Sequence, residues 1–360
     1  MTHPHPTGNY VGQERLGLDF SLGENPWGCS PLVMEVLRIV DPIAVAQYPD
    51  NFGEPLRRAL GQRLSMPPEW FCLGTGALGV LDLVFRSVAA SQGNCVLPAL
   101  SFPSYSILAQ IHKVQTTTVA MGPDLSVDVG ALARMVRDVN PAATVLANPN
   151  NPTGRFLDRS AVNELISATT DRGLLVLDEA NVEFCPASFT DWHGCDDWPQ
   201  HVIVVRSFSK AHGLASLRIG YAIGHPETIR AVMKSWVDFP VTQPSLLAAC
   251  AALSDPDHVR NSAIKMAESR QMLFAGLSQI GFRVLPSDSN YLLIDVASKG
   301  VQSSDLVDHL RRVNIGVLDG VRFKGLGPEY IRISPRTIDE NAELLRSLGR
   351  LFPTIARRSC

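Results

Sequence analysis

The sequence predicts an α/β protein: a large domain with a mostly parallel central sheet, and a small α+β domain after it. Three observations carry this expectation. Between about Leu73 and Ile223, short continuous apolar runs alternate with helical patterns, the mark of strands covered by helices on both faces. Several of those runs end in chemically equipped polar residues, where open α/β sheets bind ligands. From about Pro226 the texture changes to longer helices followed by shorter strands. The 360 residues are 45% hydrophobic, enough for one large core and a smaller one.

Residues 1 to about 30 are Pro- and Gly-rich and read as an extended arm containing the polar turn Leu22 to Gly28 beside Trp27. Pro31 to Val40 has helical spacing, and Glu54 to Leu64 is an amphipathic helix after Tyr48, Pro49 and Asp50. Leu73 to Gly79 reads as a small-residue turn opening the apolar helix Val80 to Ala89. Such a turn offers free N–H groups and a positive dipole end, which suits a phosphate, although close packing alone also selects it. Asn94 to Pro98 and Thr116 to Ala120 read as short strands, separated by a loop with Phe102 and Tyr105 and a helix to about His112. The strand Ala142 to Ala147 runs into Asn148–Gly154, with more turn chemistry than a connection needs. After the helix Arg159 to Thr169, a buried strand ends in Asp178, a carboxylate that is costly there unless paired. The apolar runs His201 to Val205 and Ile219 to Ile223 enclose Ser207, Ser209, Lys210 and Arg218.

Beyond Pro226, Thr228 to Trp236, Ser245 to Leu253 and His258 to Ile280 read as helices. Short strands follow at Phe282 to Leu285, Tyr291 to Val296, Ile315 to Leu318 and Tyr330 to Ser334, interleaved with helices Ser304 to Val313 and Ile338 to Leu351. Arg332 sits on an otherwise apolar strand and needs a buried anion, from the protein or from a ligand. The resulting division is an arm with part of the small domain (1–45), a large cofactor-binding domain (46–259) and a small C-terminal domain (260–360).

Bulk properties exclude several classes. A net charge of −3 gives no nucleic-acid footprint. Seven scattered Cys without a Cys-x-x-Cys pair read as a reduced, cytoplasmic pattern without a zinc framework. No stretch has membrane-spanning length, and the N-terminus lacks a secretory pattern. His3 and His5 read as a polar tail, so no metal is expected.

Lys210, flanked by hydroxyls between two buried strands, is placed like a Schiff-base lysine rather than a surface lysine; the plainer alternative is a turn with a snorkelling Lys and a surface Arg. A phosphate-type turn (Gly76, Ala77), an aromatic (Phe102), Asn151, Asp178, Ser207, Ser209, Lys210 and Arg218 together suit an aromatic phosphate ester bearing an aldehyde, which is pyridoxal 5'-phosphate. On these residues, with Glu24, Asn25 and Pro26, Tyr48 to Asp50, Asn150 to Gly154, and Asp178 to Phe184, the chain resembles the fold-type-I pyridoxal-phosphate enzymes of the aspartate aminotransferase superfamily. It is most similar to the histidinol-phosphate aminotransferase family, over nearly its whole length.

The resemblance implies roles. Lys210 forms the internal aldimine and carries protons, and Asp178 keeps the pyridine nitrogen protonated. Asn151 bonds the ring's phenolic oxygen, and Phe102 stacks on the ring. Ser207, Ser209, Arg218 and the N–H groups of Gly76 and Ala77 hold the phosphate. Tyr48 reaches the neighbouring subunit's cofactor, implying a homodimer with shared sites. Arg332 clamps the substrate's carboxylate, and Asn25 also serves the substrate.

Three departures stand near the site: Asn181 where the family has Tyr, Leu78 and Gly79 in place of an acidic pair, and Gly23 in place of Asn. Asn181 is a shorter hydrogen-bond partner that never ionises, so altered cofactor electronics are expected. Arg322 and Lys324 are candidates for a side-chain phosphate, although solvated loop charges are the plainer reading.

The leading expectation is an aminotransferase moving an amino group between an L-amino acid, or an amino-alcohol phosphate, and a 2-oxo acid. The alternatives are a threonine-phosphate-type decarboxylase, or a specialised lyase, cyclase or oxidase of secondary metabolism, on the same cofactor. A non-catalytic regulator would need a fused DNA-binding domain, for which the sequence has neither spare length nor a basic segment.

Overall fold

A computed structural model of the chain describes residues 16–352. His3, His5 and most of the arm's first half lie outside the described residues. In chain order the elements are β1 (Leu18–Asp19), α1 (Pro31–Arg38), α2 (Pro42–Ala46), α3 (Glu54–Leu64), β2 (Phe71–Thr75), α4 (Gly76–Ala90), β3 (Asn94–Pro98), α5 (Ser104–Ile111), β4 (Gln115–Val119), α6 (Val129–Val139), β5 (Ala143–Ala147), α7 (Arg159–Thr169), β6 (Leu174–Asp178), β7 (Val202–Ser207) and β8 (Ile219–Gly224). Then come α8 (Pro226–Val232), α9 (Gln243–Leu253), α10 (Pro256–Ile280), β9 (Arg283–Val284), β10 (Leu292–Asp295), α11 (Ser303–Arg312), β11 (Ile315–Gly316), β12 (Leu318–Asp319), β13 (Tyr330–Ile333) and α12 (Ile338–Leu351).

The continuous apolar runs form a seven-stranded sheet in the order β2-β8-β7-β6-β5-β3-β4. The pairs β7–β6, β6–β5, β5–β3 and β3–β4 are parallel, while β8 runs antiparallel to both β7 and β2. The interior of β5, β6 and β7 is fully buried because helices cover both faces; separate apolar clusters form on the two sides. The carboxyl ends of β2, β3, β5, β6 and β7 therefore share one edge. The amino end of β8 joins them there because that strand is reversed.

Two sequence expectations are corrected. Leu73 to Thr75 is not a turn but the end of edge strand β2, paired from Thr75↔Ile219 to Phe71↔Ile223; the small residues suit the close strand–helix approach, and the helix starts directly at Gly76. Ile315 to Leu318 is not one strand. Ile315–Gly316 pairs in parallel with β1 in the arm, while Leu318–Asp319 joins the sheet β12-β13-β10-β9. The arm is thus not simply extended. Helix α6, not anticipated, is capped by Asp128 accepting from Ala131 N–H at 2.8 Å, and buries Leu132, Ala133 and Val136.

The C-terminal layer packs α10, α11 and α12 against the four-stranded sheet around Phe20, Leu273, Leu292, Ile294, Ile331 and Leu344. Phe20 of the arm belongs to this cluster, whereas Val33 of α1 belongs to the large sheet's. Helix α10 crosses residue 259. The division at residues 45 and 259 therefore stays a proposal about folding units.

Candidate active site

The shared edge of the large sheet opens into a cavity of about 430 Å³, closed from the other side by the arm and by Asn290, Tyr291 and Arg332. Each strand end contributes a group. Strand β6 ends in Asp178, and the loop after β5 brings Asn151. The loop after β3 brings Phe102, and the start of α4 brings Ala77. Strand β7 ends in Ser207 and leads to Ser209 and Lys210, and Arg218 precedes β8.

The corner formed by β2, β7 and β8 is tight. A Cβ on Gly220 would stand 2.4 Å from Ala77 N, so only glycine lets β8 pass this close to the turn. Beside it, a Cβ on Gly76 would stand 2.6 Å from Arg218 Nη2. Arg218 itself has φ +49, a left-handed conformation that is costly for a non-glycine residue. That backbone and its bonds to Ala215 O (2.9 Å) and Ser209 Oγ (3.3 Å) hold the guanidinium at the amino end of α4. Ser209 N–H donates to Ser207 Oγ at 3.1 Å. Hydroxyls, a fixed guanidinium and helix-start N–H groups make a cradle for a phosphate.

Lys210 Nζ donates to the carbonyls of Leu22 (3.1 Å) and Gly23 (3.3 Å). Burial, with Arg332 and Arg218 nearby, lowers its pKa to about 8, against the opposing pull of Glu24 and Asp178. Asp178 is 6% exposed, and burial raises its pKa; Tyr105 Oη donating at 2.7 Å and Ala180 N–H at 3.0 Å oppose that rise. Arg332 is 2% exposed. It donates to Asn151 Oδ1 (2.8 Å) and Ser21 O (2.6 Å), and lies between the rings of Tyr291 and Phe323. Its Nε is buried without a partner, and the anion its strand position called for is not a protein carboxylate among the described ion pairs. Asn181 Oδ1 is likewise buried and unpartnered in the cavity wall. These open valences, the phosphate cradle and a lysine of lowered basicity fit pyridoxal phosphate.

The structure thus brings Ala77, Phe102, Asn151, Asp178, Asn181, Ser207, Ser209, Lys210, Arg218 and Arg332 to one cavity, with Gly76 directly behind. Asn25 is not among the residues that line the cavity. Its amide donates to Ala211 O (2.9 Å) and Ser262 Oγ (3.0 Å), and its oxygen accepts from Trp27 N–H (3.0 Å), so it braces the arm. Tyr48 is outside this cavity, 83% exposed and stacked on Phe239 at 4.6 Å. Arg322 and Lys324 do not line it either. Sequence reasoning missed Asn290, Tyr291 and the role of Tyr105. Tyr105 follows Phe102 by three residues, a spacing that could have marked it; Tyr291 and Asn290 carry no local signal.

Residues 17–348 match the family model described as aminotransferase class I and II. A histidinol-phosphate aminotransferase of Methanocaldococcus jannaschii is 31% identical over 334 residues, 91% of this chain and 87% of the relative. The solved histidinol-phosphate aminotransferase of Sinorhizobium meliloti, in complex with pyridoxal-5'-phosphate, superposes with a TM-score of 0.85 at 29% identity, covering 95% of this chain and 92% of that one. A solved L-threonine-O-3-phosphate decarboxylase of Porphyromonas gingivalis shares the fold, with a TM-score of 0.77 at 22% identity over 93% of this chain and 99% of that one.

Proposed function

From the premise that the chain belongs to the class I and II aminotransferases, we propose that it is a pyridoxal-phosphate-dependent aminotransferase acting on an L-amino acid or an amino-alcohol phosphate, with a 2-oxo acid as acceptor. The observation that carries this reading is Lys210: a half-buried amine of lowered basicity in the same cavity as Asp178, Asn151, Arg218 and Arg332. Pyridoxal phosphate, when bound, supplies an aldehyde that condenses with amines and a ring that withdraws electrons from the adjacent carbon.

The chain's own residues do the rest. Arg218, Ser207, Ser209 and the first N–H groups of α4 would anchor the phosphate. Asn151 spends its oxygen on Arg332, leaving its amide N–H groups to donate to the ring's phenolic oxygen. Asp178 would face the ring nitrogen, and Phe102 the ring plane. Lys210, half neutral near pH 8, serves as nucleophile and then as proton carrier at the substrate carbon. Arg332, which lines the cavity and is held by Asn151 Oδ1 and Ser21 O, would take the substrate's anionic group, carboxylate or phosphate, with its remaining outer N–H groups.

The proposed assembly is a cytoplasmic homodimer in which Tyr48 enters the partner's cavity; its exposure in one subunit supports this. No helix among the described residues is long and apolar enough to cross a membrane. The test is stoichiometric conversion of one amino donor to its oxo product, with the protein's cofactor recovered in its amino form. Release of carbon dioxide or ammonia instead would select the decarboxylase or lyase alternative.

A further inference from the structure

We infer that Tyr105 is a positioning residue that fixes Asp178 and keeps the proton it shares with the cofactor on the ring nitrogen. The inference rests on the reading that Asp178 faces that nitrogen. Tyr105 lies at the start of α5 and is fully buried. Its hydroxyl donates to Asp178 Oδ2 at 2.7 Å, across 73 residues of sequence. The other carboxylate oxygen accepts from Ala180 N–H at 3.0 Å. Two donors on different elements thus set the plane of the carboxylate, and one lobe remains for the cavity.

The hydroxyl also sets basicity. A donated hydrogen bond stabilises the carboxylate and makes it a weaker base, so a proton between it and a pyridine nitrogen rests on the nitrogen. Tyr105 cannot ionise to defeat this: its burial and the neighbouring Asp178 raise its own pKa well above the ordinary value. The same helix start carries the stacking aromatic. The rings of Phe102 and Tyr105 meet edge to face, 5.6 Å apart at 86°. One short segment therefore places both the ring that would cover the cofactor and the hydroxyl behind its acid.

The experiment compares wild type, Tyr105→Phe and Tyr105→Leu as holoenzymes. Pyridoxal phosphate labelled with 15N in its ring reports the nitrogen's protonation directly. The expected result for Tyr105→Phe is a 15N signal moved towards the unprotonated value, with cofactor affinity weakened about ten- to a hundredfold. An analogue carrying carbon in place of the ring nitrogen should bind wild type and Tyr105→Phe equally. Tyr105→Leu, which also removes the ring behind Phe102, should weaken both ligands. A Tyr105→Phe protein with an unchanged 15N signal and unchanged affinity overturns the inference. If Asp178→Asn leaves the wild-type 15N signal unmoved, the failure lies instead in placing Asp178 at the ring nitrogen.

Discussion

At the scale of single residues, the site is a set of polar groups left incomplete by the protein. Lys210 is lowered to about 8 by burial and two guanidinium neighbours, so its neutral fraction rises as pH increases through that value. The rate at which cofactor-free protein captures pyridoxal phosphate, followed by its visible absorption, should rise through a single ionisation near pH 8 and level off above it; a rate that keeps climbing past that value without levelling off would show that the amine is not desolvated. Lys210→Ala should lose that absorption and reduce transamination by about a thousandfold or more. Asn181→Tyr places an ionisable hydroxyl where an amide oxygen has no partner, and should move the pH midpoint of the bound-cofactor spectrum; an unmoved midpoint would mean Asn181 does not touch the ring. Asp178 was legible in the sequence because a charged group ending a buried strand has few structural explanations, and Lys210 because a lysine flanked by hydroxyls between two buried strands is not placed like a surface lysine. The bonds of Asn25 to Ala211 and Ser262 were not legible, because an amide serves a backbone carbonyl as readily as a ligand. The spacing of Tyr105 from Phe102 marks it only as a neighbour of the stacking ring; its partner Asp178 was not legible, because sequence pattern does not join positions 73 apart.

At the scale of elements, the buried strands were legible because apolar runs covered on both faces need no other signal. The boundaries that failed were those set by tertiary contact: β2 has only small residues at its end, and β11 and β12 divide one apolar run between two sheets. Strand β7 carries a second device behind the site. Arg206, 7% exposed, donates from Nε (3.0 Å) and Nη2 (2.8 Å) to Glu179 Oε2, while Glu179 Oε1 accepts from Phe189 N–H at 2.7 Å. Arg206 also reaches Thr190 Oγ1 at 3.0 Å, so the pair ties the 188–191 segment to the sheet. Arg206→Leu leaves Glu179 buried without its partner and should cost about 3–5 kcal/mol in urea unfolding. A loss below about 1 kcal/mol would mean that the segment relaxes and the carboxylate reaches water.

At the scale of the whole molecule, the arm and the C-terminal layer close the cavity over the large sheet, and the segment between α1 and α3 exposes several large apolar side chains. Ile39, Ile43, Val45, Tyr48 and Phe52 are all exposed between α1 and α3, with Phe239 beneath Tyr48. A second copy of the chain is the proposed cover. Ile43→Asp should shift sedimentation from dimer to monomer and weaken cofactor binding, since Tyr48 would leave its partner's site; a stable dimer would place the interface elsewhere. The most direct test of the central claim is the absorption spectrum of the cofactor-loaded protein, recorded before and after a panel of amino donors and then a 2-oxo acid. The account predicts a visible band that one donor bleaches to the absorption of the amino form and that the oxo acid restores. A protein that takes up no cofactor at Lys210, or whose band every donor leaves unchanged, would contradict it.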